Sequence, residues 1–372
     1  MMRWLLFIAF LLGGPAWAAE WDVPNRAGAI AEILAQAEDG DVLRLRPGTY
    51  AENVVLDRSV TLDGQGHATI DGQGHGTVVT VTARDAIVEG LTVIGSGSSH
   101  ETIDSGIKLT KTAHGSIARN NTVLGNLYGI DIHGARDSLV AGNRIEGRQD
   151  HRMNDRGNGV YVWNARGAVV EDNDIRWGRD GIFVNSSLKN IFRRNLFRDL
   201  RFAVHYMYAD RSEVSDNISI GNDLGYAVMF TSHVKVIGNV SINDREHGLM
   251  FNYANKSEIR DNYVRGAKEK CAFLYNSHRN DFSGNWFEGC SIGIHFTGSD
   301  ENRIVGNNFV GNRTQVKLVS TKWHEWSEDG RGNYWSDNAG FDVDGDGVAD
   351  TPFRPNDSMD HVLWTQPAAK LL

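Results

Sequence analysis

Histidine and methionine side chains are the residues of this 372-residue sequence best suited to chemistry. His205, Met207, Met229 and Met250 recur within short alternating segments of the chain. Thioether sulfur combined with imidazole is a ligand set that selects Cu(I), and exposed sites of this kind suit transfer better than storage. These residues therefore predict a transient Cu(I) site. A hydrophobic docking stripe is the alternative, compatible interpretation, because methionine packs adaptably at interfaces.

Internal repeats must position these residues. An asparagine closely followed by an apolar residue recurs, mostly every 22 or 23 residues, at Asn121, Asn143, Asn173, Asn195, Asn217, Asn239, Asn262, Asn285, Asn307 and Asn333. Each repeat also holds a segment that starts at a small residue and alternates with period two, which indicates strands. Short strands at a fixed pitch, separated by Asn and Gly able to take left-handed turns, predict an all-β fold. We expect a right-handed parallel β-helix solenoid with coils of about 22 residues.

The alternation predicts which side chains point outward. The first and third residues after the small one are apolar and are expected inside, so the second and fourth must face solvent. The second positions are predicted to be Asp131, Tyr161, Phe183, His205, Met229, Met250, Leu274, His295 and Lys317. The fourth positions are predicted to be His133, Trp163, Asn185, Met207, Thr231, Asn252, Asn276, Thr297 and Val319. Since neighbouring coils lie about 4.8 Å apart, the four His and Met residues should converge in one patch.

Four further residues are secondary copper candidates. His151 and Met153 lie in an insertion between coils, from Gly147 to Asn158, while His247 and His295 belong to coils.

The two cysteines allow two interpretations. Cys271 and His247 occupy equivalent positions in successive coils and Cys290 follows nearby, so a His/Cys/Cys copper cluster is conceivable. In an oxidising compartment, two cysteines one coil apart more often form a disulfide or are buried. We therefore treat Cys271 and Cys290 as a possible disulfide.

Carboxylates occur in two notable places. The run from Asp342 to Asp350 matches the start of a D-x-D-x-D-G calcium loop, with the candidate ligands Asp342, Asp344, Asp346 and Asp350. Phe353 replaces the usual final glutamate, so such a calcium would be structural, and an uncomplexed acidic turn is the alternative. A second set precedes three successive small residues, at Asp199, Asp223 and Asp244. Interleaved arginines favour a charge-compensated turn over a glycosidase pair there.

The ends of the chain predict its organisation. Residues 1–18 are typical of an export signal, with Arg3, an apolar run and a small-x-small site at Ala16-Trp17-Ala18. Residues 19–333 are expected to form the solenoid, with an amphipathic capping helix over Arg26 to Glu38, and residues 334–372 a C-terminal segment with the Asp-rich loop. The net charge of −9 argues against nucleic acid as a partner.

Several segments resemble the NosD family of periplasmic β-helix proteins encoded with nitrous oxide reductase. They are Ala203 to Tyr208, Asp244 to Asn255, Glu288 to Thr297, Gly311 to Lys317, Gly330 to Asp337 and Asp342 to Asp350. The resemblance implies a periplasmic, non-enzymatic maturation factor. It implies action with the ABC transporter NosF and NosY and the copper lipoprotein NosL, supplying copper to the copper-sulfide centre of nitrous oxide reductase. Membrane association would then occur only through the transporter.

Two other function classes use the same fold. A secreted polysaccharide lyase, hydrolase or epimerase would need a carboxylate or Lys/Arg constellation on an exposed strand face, which we do not expect on this stripe. A carbohydrate-binding protein would use Tyr161, Trp163 and Phe183 as stacking platforms.

Overall fold

A computed structural model describes residues 18–355 together with residues 362, 366 and 368. Each strand pairs in parallel with its counterpart one coil earlier, and about 14 coils stack into a solenoid. The predicted parallel β-helix is therefore confirmed. The proposed export signal lies almost entirely outside the described residues. Among the helices of the described part, none has the length and apolar character needed to cross a membrane.

One face of the solenoid is a sheet of twelve strands, called here the site sheet because it carries the His and Met residues. Its strands are Val54–Leu56, Val79–Val81, Ser105–Leu109, Tyr128–His133, Val160–Trp163, Asp180–Leu188, Phe202–Asp210, Leu224–Ser232, His247–Asn255, Lys270–Tyr275, Ile292–Thr297 and Thr314–Val319.

Two further ladders of strands, joined into one sheet, close each coil. The first consists of Glu20–Val23, Val42–Leu45, Thr61–Asp71, Ile87–Ile94, Ile117–Arg119, Leu139–Ala141, Val169–Glu171, Ile191–Arg193, Glu213–Ser215, Lys235–Ile237, Glu258–Arg260, Asp281–Ser283, Asn302–Val305 and His324–Glu325. The second shares Thr61–Asp71 and Ile87–Ile94 and adds Gly48–Ala51, Thr122–Asn126, Arg144–Gly147, Asp174–Arg176, Leu196–Arg198, Ile218–Ile220, Val240–Ile242, Tyr263–Arg265, Trp286–Glu288, Asn308–Val310 and Tyr334–Trp335.

Within residues 18–355, helical structure is limited to two short elements, Ala29–Leu34 and a 3-10 turn at Met153–Asp155. The helix buries Ile30 and Leu34. It is shorter than the expected span from Arg26 to Glu38. It contacts the first strands of the solenoid, so its apolar face covers the core of the first coil.

The repeated asparagines form a buried ladder of side-chain amides. The backbone N–H and Nδ2 of Asn195 both donate to Oδ1 of Asn217 at 3.0 Å, and Asn217 does the same toward Asn239. Asn and Gly between the strands do take left-handed turns, for example Asn120 and Gly142, but the ladder asparagines themselves do not. The residue before each asparagine from Asn121 to Asn307 does so, for example Arg194 at φ 55° and Asp216 at φ 54°. The 22-residue period thus reflects amide stacking between coils.

Candidate functional site

The outward side chains of the site sheet form two parallel columns. Strand pairing places in column A the residues Lys108, Asp131, Tyr161, Phe183, His205, Ala227, Met250, Phe273, His295 and Lys317. Column B holds His133, Trp163, Asn185, Met207, Met229, Asn252, Tyr275, Thr297 and Val319.

This register corrects two predicted positions. Met229 pairs with Met207 and belongs to column B, while Ala227 pairs with His205. The prediction was wrong because Gly225, and not Ala227, is the small residue that starts this alternation. The predicted outward residue Leu274 is completely buried.

In the coil of Lys270–Tyr275 the start of the alternation is shifted by one residue. There Cys271 takes the place of the small residue, so Phe273 pairs with Met250 and Tyr275 pairs with Asn252 on the outward face. Thr231 and Asn276, predicted at fourth positions, therefore lie outside column B. Each coil contains two candidates for the starting position, Gly225 and Ala227 in the first and Cys271 and Ala272 in the second, which is why the sequence pattern was ambiguous.

The four principal copper candidates nevertheless lie together, and we call them the copper patch. His205 and Met207 are on one strand, and Met229 lies beside Met207 on the next. Met250 follows in column A, with the small side chain of Ala227 between it and His205. All four candidates are partly exposed. At a strand spacing of about 4.8 Å, three thioethers and one imidazole share a patch two residues wide and three strands long.

A buried carboxylate orients the imidazole of this patch. His205 Nδ1 lies 3.0 Å from Oδ2 of Asp180, which is completely buried, and Arg201 donates to both carboxylate oxygens at 2.8 and 2.7 Å. Burial works to raise the pKa of Asp180, but hydrogen bonds from His205 and Arg201 outweigh it and lower the pKa. An ionised carboxylate only accepts, so Nδ1 carries the hydrogen and the Nε2 lone pair remains for a ligand.

Sequence reasoning missed the roles of Asp180 and Arg201. Asp180 directly precedes the small residue Gly181, but its partner His205 is 25 residues away in the next coil. The available signal was the coil register, which aligns the start of one strand with the start of the next.

In column A the predicted outward residue Asp131 lies beside Lys108, which the predicted stripe did not include. Lys108 Nζ lies 3.1 Å from Oδ2 of Asp131, and His133 Nδ1 lies 3.7 Å from the same oxygen. The expectation that the stripe lacks such a constellation is therefore wrong. Asp131 is completely buried, however, and burial raises the pKa of neighbouring Tyr161 to about 12. An enclosed, ion-paired carboxylate is poorly placed to reach a substrate.

The aromatic residues of the columns stack on one another. Tyr161 and Phe183 are 5.6 Å apart and nearly parallel, and His133 stacks on Trp163 at 4.4 Å. Phe183 also lies 4.7 Å from the ring of His205. Because these faces cover each other, they offer a sugar ring less open surface than the sequence suggested.

The secondary copper candidates lie outside the copper patch. His247 and His295 both contact the ring of Phe273, at 5.5 and 5.1 Å between ring centroids. Burial lowers the pKa of both, to about 3 for His295, and both Nδ1 atoms are buried without a hydrogen bond. His151 and Met153 are part of the insertion, where His151 Nδ1 lies 2.9 Å from Asp150, and so belong to neither column.

The two cysteines are joined in a disulfide, with their Cα atoms 5.7 Å apart. Both are buried. A disulfide offers no thiolate, so the structure provides no His/Cys/Cys copper cluster at His247.

The calcium candidates are partly brought together. One oxygen from each of Asp342, Asp344 and Asp346 lies within 4.8 Å of the others, and all three residues are exposed. Asp350 instead accepts a hydrogen bond from the backbone N–H of Val343 at 2.8 Å.

The three aspartates before the small residues do not form a carboxylate column. Asp199 is exposed, and Asp223 pairs with Arg245 at 2.5 Å. Asp244 is completely buried and accepts hydrogen bonds from Ser219 and Ser241. Burial raises the pKa of Asp244 to about 6, with these hydrogen bonds opposing the shift. The three carboxylates thus have three separate environments.

Solved structures with a similar fold act on polysaccharides. An exopolygalacturonase of family 28 from Yersinia enterocolitica has a TM-score of 0.63 at 10% identity, over 82% of this chain and 78% of that one. An alginate lyase has a TM-score of 0.61 at 13% identity, over 82% of this chain and 84% of that one. At such identities the likeness concerns the fold alone.

Sequence comparison is more specific. Residues 141–340 match the family model described as periplasmic copper-binding protein (NosD). A relative from Pseudomonas aeruginosa, named probable ABC transporter binding protein NosD, is 38% identical over 94% of this chain and 88% of its own. A relative of the same name from Stutzerimonas stutzeri is 37% identical over 92% of this chain and 82% of its own. The chain therefore belongs to the NosD family of periplasmic copper-binding proteins.

Proposed function

We propose that the chain is a periplasmic accessory protein that docks on an ABC transporter and relays Cu(I) toward the copper-sulfide centre of nitrous oxide reductase. The observation that carries this proposal is the copper patch, in which His205 shares one face with three methionines. The family description supports copper as the cargo, and the names of the relatives support an ABC transporter as a partner.

The ligand chemistry of the patch suits transfer. Imidazole and thioether are neutral ligands, so a bound Cu(I) keeps its charge and is held less tightly than by thiolates. The partial exposure of His205 and Met207 leaves room for a donor atom of a second protein to enter. The buried pair of Asp180 with His205 orients Nε2 without occupying it.

The proposed partners follow from the family resemblance. They are the transporter subunits NosF and NosY, the copper lipoprotein NosL and nitrous oxide reductase. In this arrangement the transporter hydrolyses nucleotide, and the chain itself catalyses no reaction.

A polysaccharide-acting enzyme is the alternative function. Its supporting observation is the Lys108, Asp131 and His133 group on the site sheet. The complete burial of Asp131 weighs against this alternative, because an acid or base must reach its substrate.

A variant that combines His205→Ala, Met207→Leu, Met229→Leu and Met250→Leu tests the proposal. Leucine keeps the apolar volume and removes the sulfur. We expect nitrous oxide reductase purified from cells with this variant to lack its catalytic copper, while the variant keeps its thermal midpoint and still co-purifies with the transporter. Met153→Leu, which removes a thioether outside the patch, is the matched control. Normal copper content in the reductase would refute the relay.

We also propose that the Asp-rich loop binds a structural calcium through Asp342, Asp344 and Asp346. The supporting observation is that their oxygens lie within 4.8 Å of one another. Calcium should raise the thermal midpoint of the wild-type chain but not of Asp344→Asn, with Asp329→Asn as the control. An equal midpoint with calcium and with chelator would contradict this assignment.

A further inference from the structure

One turn of the solenoid carries bulky residues where small ones are usual. The residue directly after column B has a positive φ in successive coils, and the residues there are Asn164, Ser186, Tyr208, Phe230, Tyr253, Asn276 and Gly298. Glycine and asparagine tolerate this left-handed conformation, whereas bulky side chains are strained in it. We call Tyr208, Phe230 and Tyr253, at φ 50°, 51° and 50°, the aromatic ladder. Strain of this kind persists mainly where a function requires it.

The aromatic ladder is exposed, and its rings cover each other. Tyr208 and Phe230 stack at 5.1 Å, and Phe230 and Tyr253 at 5.4 Å, with interplanar angles of 16° and 10°. Tyr208 is 54% exposed and Tyr253 is 45% exposed. The ladder therefore exposes part of its aromatic surface, while the faces between the rings are occupied. This arrangement suits apolar side chains of a protein better than sugar rings, which stack on open faces.

A row of basic residues borders the aromatic ladder. Three residues beyond Ser186, Tyr208, Phe230 and Tyr253 the chain places an exposed Lys, Arg or His side chain. We call these residues the basic row; they are Lys189, Arg211, His233 and Lys256. The nearby acid Asp210 accepts hydrogen bonds from Thr231 and from the backbone of Ser232. In a chain with a net charge of −9, this local concentration favours a partner with an acidic surface.

We propose that the aromatic ladder and the basic row form the docking surface for the protein that exchanges Cu(I) with the copper patch. The matching face of that partner would be apolar at its centre and acidic at its edge. This inference rests on the proposed function. Transfer requires donor atoms of both proteins to reach one ion, and Tyr208 and Phe230 directly follow Met207 and Met229 in the chain. A partner that reaches those sulfur atoms must therefore cover the ladder.

The structure suggests a variant that should not impair folding. Tyr208→Asn, Phe230→Asn and Tyr253→Asn together install the residue type found at the same turn in Asn164 and Asn276. Because asparagine relieves the strain, the thermal midpoint should stay equal or rise. We expect the copper content of nitrous oxide reductase in cells to fall by about fivefold or more. Cu(I) affinity, measured by competition with a colorimetric chelator, and co-purification with the transporter should be unchanged. Tyr334→Asn, an exposed aromatic on another face, is the control.

A second variant tests the charge contribution. Arg211→Gln with Lys256→Gln should slow copper delivery and weaken its dependence on salt, because rim charges act mainly on association. If copper delivery by this variant depends on salt as strongly as delivery by the wild type, the inference that the partner has an acidic surface is refuted.

Other results would overturn the docking assignment in distinct ways. If nitrous oxide reductase from cells with the ladder variant has its normal copper content, the aromatic ladder has no role in copper exchange. Lost Cu(I) affinity would place the ladder among the ligands, and lost transporter co-purification would make it the transporter surface. If the wild-type chain binds vesicles that contain phosphatidylglycerol and the ladder variant does not, the ladder would be a membrane-binding surface and not a protein-docking surface. The proposed function itself fails only if the fourfold copper-patch variant matures the reductase normally, whatever the ladder variant does.

Discussion

His205 Nδ1 donates to Oδ2 of Asp180 across 3.0 Å, from one coil of the solenoid to the preceding one. The carboxylate is fully enclosed and is also held by Arg201. This relationship sets the tautomer of the only imidazole in the copper patch and leaves the lone pair on its second nitrogen. The copper patch thus depends on a residue that itself touches no metal.

Replacing Asp180 should weaken copper binding without removing a ligand. Asp180→Asn keeps the shape but leaves His205 free to take either tautomer, so we expect Cu(I) affinity to fall by about 10- to 100-fold in chelator competition. Asp174→Asn is the control, because Asp174 also pairs with an arginine, Arg198, but belongs to a strand outside the site sheet. Equal affinities of the two variants would show that the tautomer does not matter.

The corrected register ranks the three methionines. Met207 and Met229 are direct neighbours across two strands, whereas Met250 lies one strand further in the other column. We therefore expect Met207→Leu or Met229→Leu to weaken Cu(I) binding by roughly tenfold, and Met250→Leu by less. Affinities of the single variants measured with one chelator decide this order, and a larger effect of Met250→Leu would refute it.

Asp244 should make stability depend on pH. Burial raises its pKa to about 6 in the folded chain, above the ordinary value of 3.8. The stability linked to this group is therefore fully present below pH 3.8 and is lost as the pH rises through 6, by up to about 3 kcal/mol. Urea unfolding of wild type and Asp244→Asn at pH 4.5 and 7.5 measures the difference. If the free energy of unfolding changes equally with pH in the wild type and in Asp244→Asn, the raised pKa of Asp244 is contradicted.

The asparagine ladder should be sensitive in its interior. Asn217→Ala removes the acceptor for two donors of Asn195 and the Nδ2 group that donates to Phe192 and Asn239, so we expect a loss of about 2 to 4 kcal/mol in the free energy of unfolding. Asn333→Ala, at the end of the ladder, should cost less because it is partly exposed. Equal losses at both positions, measured by chemical denaturation, would argue against a cooperative ladder.

The period of the asparagines was sufficient to predict the coil length, the parallel solenoid and the outward position of His205, because these properties repeat along the chain. It could not decide the register of Met229, since Gly225 and Ala227 both fit the start of the alternation. The repeat register aligned the strands of Asp180 and His205 but could not show that the two side chains pair, because that contact joins residues 25 positions apart. Nor could it show that Tyr208 takes a left-handed turn. Alternation and spacing are local properties of the chain, whereas ion pairs, stacked rings and strained turns arise only when coils pack on one another.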